Sequence, residues 1–195
     1  MNPKFRYLQV VAEALIPLLG FYFWDWSLYF ILLFYFIDLF ADLIVSHFKT
    51  SKIQQYNQQG EPGWLKWGLS SGLLFVVSLV SIHTAVWFIF PSIDFWKEAK
   101  AFWMYKELGI EQGYILVPLV FVMAIQQYKM EFVRLRLFEK QDVNGLWLSK
   151  VRAFLAMIGF SGLVVGLSQF IILPEWAYVI GIVSFVSMYS LTAKN

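Results

Sequence analysis

The chain has 195 residues, of which 59% are hydrophobic, 20% aromatic and only 14% charged. Soluble domains carry about 25% charged residues, so this composition places the chain in the membrane class. The formal net charge of +2 is too small to indicate nucleic acid as a partner. With no cysteine, disulfides, thiolate metal sites and cysteine nucleophiles are excluded.

In chain order, six apolar blocks have the length of membrane helices, which need about 17–25 residues. They cover 7–24, 27–48, 67–90, 113–131, 152–173 and 175–192. The expected fold is an all-α polytopic bundle of six transmembrane helices forming a single integral membrane domain, 1–195. The first block carries Glu13 and Pro17 and lacks a small-residue cleavage site, so it reads as a retained helix and not a signal peptide. Blocks one and two are joined by a tight turn at Trp24-Asp25-Trp26. Block four carries Pro118 near its start. Pro174 separates blocks five and six.

Between the blocks, residues 49–66 form a polar connector with a Glu61-Pro62-Gly63 turn. Residues 91–112 place Phe95, Trp96, Ala99, Phe102, Trp103 and Tyr105 at near-helical spacing among lysines and glutamates. This predicts one amphipathic helix at the outer interface, as an anchor or as a lid over a cavity. Residues 132–151 read as a basic loop with a turn at Asn144-Gly145. Its cations attract anionic lipid and set topology. With the N-terminus inside, twelve Lys and Arg fall on inner segments and three, Lys97, Lys100 and Lys106, on outer ones. Cytoplasmic loops hold the excess of Lys and Arg, which predicts both termini in the cytoplasm of a multi-pass cell-membrane protein, by expectation a bacterial inner-membrane one.

Candidate functional residues are the polar groups inside the spans. Asp38 and Asp42 share one face of the second span with Tyr35 and Ser46. The first span has its own stripe of Arg6, Gln9, Glu13, Pro17 and Gly20, and Pro17 leaves the Glu13 carbonyl without its helical donor. Counted from the tight turn, Glu13 and Asp38 lie at nearly equal depth. An intramembrane acid costs about 2.5–3.5 kcal/mol on insertion scales and by default marks a functional interior. The expected site is therefore a carboxylate cluster of Glu13, Asp38 and Asp42 with Tyr35, and with His83 as the deep cation candidate. Such a cluster suits binding or transport of a cation, a proton or a small solute. The alternatives are a metal-dependent enzyme acting on lipid or isoprenoid, and a structural or assembly subunit with a protein partner or a second copy of itself. The residues name neither a metal nor a cofactor. His47 reads as reaching for the headgroups, Gln126 and Gln127 as bonding between helices, and Gly159, Gly162 and Gly166 as a close-packing face.

The Gly159-Phe160-Ser161-Gly162 run resembles the serine motif of rhomboid proteases. That chemistry needs a base, and no histidine follows position 83. The Asp38-x-x-x-Asp42 spacing resembles half of the metal motifs of prenyltransferases and CDP-alcohol phosphotransferases, without the other half. The N-terminal hairpin, through Pro17, Gly20, Trp26, Ser27, Tyr35, Phe36 and Asp38, resembles a family of uncharacterised bacterial polytopic membrane proteins. That likeness covers about a fifth of the chain and implies an architecture without an activity.

Overall fold

The computed structural model describes residues 3–57, 64–104, 106–107, 110–111, 113–171 and 173–193, with the side chains of the first helix from Val10 onward apart from Ala12. Among them the chain forms α1 (Pro3–Phe23), α2 (Leu28–Tyr56), α3 (Trp64–Ile89), α4 (Phe95–Met104), α5 (Gly113–Gln127), α6 (Val143–Ser168) and α7 (Glu175–Ala193). A two-residue antiparallel pair, β1 (Lys106–Glu107) with β2 (Ile110–Glu111), sits between α4 and α5. Four helices among the described residues are long and apolar enough to cross a membrane: α2, α3, α6, and α5 with its continuation to Val133. The described parts of α1 and α7, Glu13–Phe23 and Glu175–Leu191, are apolar and shorter. The protein is thus an all-α, multi-span membrane bundle.

Its axis is α2. A helix that is apolar on every side can be satisfied only by neighbours on every side, and α2 packs against each of the other six helices. Ile31, Ala41 and Ile53, spread along its length, are all fully buried. Around it α1 packs chiefly on α7, and α3 on α6, while α5 leans on α2 and α4.

The α1–α2 turn is built on two residues. The Gly20 carbonyl accepts from the backbone N–H groups of Trp24 and Trp26, at 3.1 and 3.0 Å. Asp25 takes a left-handed conformation, φ 50°, which ends α1. The chain then folds Trp26 back over Gly20: a Cβ there would stand 2.2 Å from the indole ring. Trp26 is 3% exposed and packs on Phe30. Ser27 next caps α2, its hydroxyl accepting from the Phe30 N–H at 3.2 Å. The Leu28 N–H donates to the Glu175 carboxylate at 2.7 Å. Two carboxylates gather here, since Ser27 also donates to Glu98 at 2.6 Å, and negative charge is favoured at a helix N-terminus.

The amphipathic helix expected in residues 91–112 is α4, started by Asp94, whose carboxylate accepts from the N–H groups of Trp96 and Lys97. It is bolted to the bundle by Phe102, 1% exposed against Phe30, while Trp96 on its other side is 80% exposed.

Several boundaries differ from the sequence expectation. α2 continues to Tyr56, eight residues past the expected end at 48, because Ile53 finds a core of Phe132 and Leu146 beyond the apolar span. α6 starts at Val143, inside the expected 132–151 loop. Asp142 caps it by accepting from the Gly145 N–H, so Asn144-Gly145 is a first helical turn. The Glu61-Pro62-Gly63 turn, Tyr105 and the side chains of Arg6 and Gln9 lie outside the described residues. Gly159, Gly162 and Gly166 do not form a close-packing face: a Cβ at each would meet nothing within 4 Å. It is Phe160 that seats α6 on α7, stacked on Phe185 at 4.1 Å.

Candidate functional site

Glu13 lies ten residues before the end of α1, and Asp38 ten after the start of α2. Each is about 15 Å along its helix from the turn. The levelling expected from the tight hairpin therefore holds. Tyr35, one turn before Asp38 on α2, is half-buried. Neither carboxylate is enclosed, however: the Glu13 and Asp38 side chains are exposed on the bundle surface. The reason is the seating of α1, which lies mainly on α7 and touches α2 over a shorter stretch. Pro17 is fully buried inside α1.

Asp42 has a partner the sequence did not suggest. Lys150, from the second turn of α6, forms an ion pair with its carboxylate, with the Lys150 side chain 16% exposed and that of Asp42 37%. Reading 132–151 as a loop put Lys150 outside the membrane and left His83 as the only deep cation. The signal that could have found it is Asp142 ahead of an apolar-periodic run, a helix-start pattern.

His83 belongs elsewhere. Its Nδ1 faces the Leu79 carbonyl and its Nε2 the Tyr29 hydroxyl, both at 2.8 Å. A carbonyl can only accept, so Nδ1 carries the proton and, in the neutral ring, Nε2 accepts from Tyr29. Tyr29 precedes Asp38 by nine residues, or about 13 Å along α2. His83 and its partners are thus separate from the acids. Among the described residues, no three His, Asp or Glu side chains converge to hold a metal ion.

Ser46, the fourth member of the α2 stripe, turns inward on its own helix, its hydroxyl donating to the Asp42 carbonyl at 2.8 Å. Thr50 donates likewise to the Ser46 carbonyl and accepts from the indole Nε1 of Trp147 at 3.0 Å. His47 does not reach outward. Ser71 spends its proton on the Gly68 carbonyl, so His47 Nε2 donates to the Ser71 oxygen, at 3.0 Å. Its ring meets the edge of Trp147, which stacks on Trp67 at 5.1 Å. An apolar crevice of about 180 Å³ opens beside this pair, lined by Phe40, Ile44, Phe75 and the bare backbones of Gly68 and Gly72. Gln127 bonds within its own helix, donating to Glu131 at 3.1 Å.

Chemically, the arrangement offers two neighbouring devices. One is Tyr35 with Asp38 on α2 and Glu13 at the matching distance from the turn on α1, both acids exposed. The other, one turn along α2, is an ion pair whose cation is mostly buried. No protein-family model matches the chain, and neither a curated protein nor a solved structure does.

Proposed function

We propose that the chain is a six-span inner-membrane protein, with both termini cytoplasmic, that binds or conducts a cation, with the proton as the simplest case. Its site is Glu13, Tyr35 and Asp38, with the Asp42–Lys150 pair beside it. With Lys150 set aside as a partner of Asp42 inside the bundle, Lys and Arg still divide eleven to three, which supports the topology, as do the 21- and 19-residue lengths of α1 and α7. The N-terminal hairpin resemblance stands as part of the same proposal.

One observation carries the functional reading: Glu13 of α1 and Asp38 of α2 stand the same ten residues from the turn that joins the two helices, and Tyr35 lies within one turn of Asp38. Acids at that depth oppose insertion and are retained where they face water, an ion or one another. Carboxylate oxygens suit a cation better than an anionic solute. Asp42 and Lys150 then act as an internal counterweight. Protonating Asp42 releases the lysine, and a bound cation near Asp38 competes with it.

The test is ion flux in proteoliposomes. Wild-type protein should pass protons, Na⁺ or K⁺ under an imposed potential, read by an internal pH dye and by ion-selective electrodes. Asp38→Asn should lower that flux at least tenfold while leaving thermal stability unchanged. Equal flux in the wild type, Asp38→Asn and empty vesicles overturns the reading. Neutral or stabilising effects of Asp38→Asn and Glu13→Gln would then favour a structural subunit.

A further inference from the structure

At the end of α5 the helix widens into a π turn, Tyr128–Val133. The Arg134 N–H donates to the Lys129 carbonyl, five residues back, at 3.0 Å. Arg136 follows in a left-handed conformation, φ 54°, which bulky residues adopt only where their surroundings impose it. A 3₁₀ turn, Leu137–Glu139, then leads towards α6. These departures bury Phe132 in a core with Ile53 and Leu146 and turn Leu135 outward, 56% exposed, between Arg134 and Arg136, both exposed. The α2 extension runs alongside. Its Lys49 lies over the Phe132 ring at 5.8 Å and its Lys52 over the Phe138 ring at 5.5 Å.

Two helices, α2 and α5, and the connector to α6 thus bring Lys49, Lys52, Lys129, Arg134, Arg136 and Lys140 to one end of the bundle. Against these six cations the same segments carry three acids, Glu131, Glu139 and Asp142, of which Glu139 pairs with Arg136. The patch therefore keeps a positive excess. Its height is fixed too, because the apolar stretch of α5 ends at Val133 and that of α6 begins at Val143. Residues 134–142 therefore lie at the headgroup border, with an exposed leucine among cations.

We infer that this surface is a binding site for an anionic phospholipid headgroup of the adjacent leaflet, with Arg134 and Lys140 meeting the phosphate and Leu135 seated in the glycerol and upper acyl region. Charge complementarity selects an anionic headgroup, and the outward leucine selects a lipid over a soluble phosphate. The inference does not depend on the transport reading, since none of its residues lies in that site.

The experiment is native mass spectrometry of the purified protein with phosphatidylglycerol or phosphatidylcholine added in neutral detergent. Each Lys or Arg at an anionic surface contributes about fivefold in affinity. Wild-type protein should retain phosphatidylglycerol in preference, and Arg134→Gln/Lys140→Gln should lose roughly 25-fold of that preference. Leu135→Ser should weaken retention of the lipid without creating binding of inorganic phosphate. The outer double variant Lys97→Gln/Lys100→Gln should behave as wild type. Equal retention of the two lipids, a preference unchanged in the inner double variant, or equal competition by inorganic phosphate overturns the inference. If the inner double variant does not fold, salt decides: the wild-type preference must fall as ionic strength rises, because exposed charges are screened within about 8 Å at physiological salt.

Discussion

Gly20 shows how much one missing side chain can fix. Its hydrogen atom is what lets the Trp26 ring lie across the end of α1. Gly20→Ala should force the indole out of a well-packed site and cost about 1–3 kcal/mol, as overpacking does, seen as a lower thermal midpoint in detergent. Asp42 and Lys150 make a second residue-level case. Lys150→Met leaves the Asp42 carboxylate without its ion pair and should cost about 1.5–3 kcal/mol, the scale of a charged hydrogen bond. Asp42→Asn in that background should add little, so a double-mutant cycle by chemical denaturation should show strong coupling. Independent, additive effects would mean the pair is incidental. The pair also shows where sequence reading stopped. The acids stood out because their apolar neighbours made them costly. The lysine, 108 positions away, was hidden among cations that look like a topology signal. The levelling of Glu13 with Asp38 was legible because a short turn ties the two helices. Their exposure was not, because it depends on α1 leaning towards α7, a contact across nearly the whole chain.

Helices were legible wherever a long apolar block declared them, and their ends were not. α2 outruns its apolar block because a second small core forms beyond it around Ile53 and Phe132, and such a core has no local sequence pattern. The same core accounts for the π turn, which adds the residue needed to bring Phe132 inward. α4 was legible from its spacing, and Phe102 is the residue that commits it to the bundle. Phe102→Ala should therefore cost about 3–5 kcal/mol if α4 is integral to the fold. Faster hydrogen exchange confined to residues 95–104, with a smaller loss of global stability, would show instead that α4 opens on its own. Ser27→Ala would test the same junction from the other side: it removes both the α2 cap and the hold on Glu98. A loss of about 1 kcal/mol is expected from the cap alone.

Taken whole, the molecule is one central helix with a wall around it. Its orientation can be measured cleanly because the chain has no cysteine. Gln141→Cys should react with an impermeant maleimide only after cells are opened, and Lys100→Cys should react in intact cells; the reverse pattern would invert the proposed topology. The packing of α1 on α7 has a further consequence, for the order in which the protein assembles. At about 5–20 residues per second of synthesis, α1 waits roughly 8–30 s for its main partner to emerge. Through that interval it carries Glu13 in an incomplete bundle, and the partner it already has is α2. The Trp26–Gly20 lock then serves as a chaperone in miniature: it holds the first helix in register until the last one arrives to close the wall.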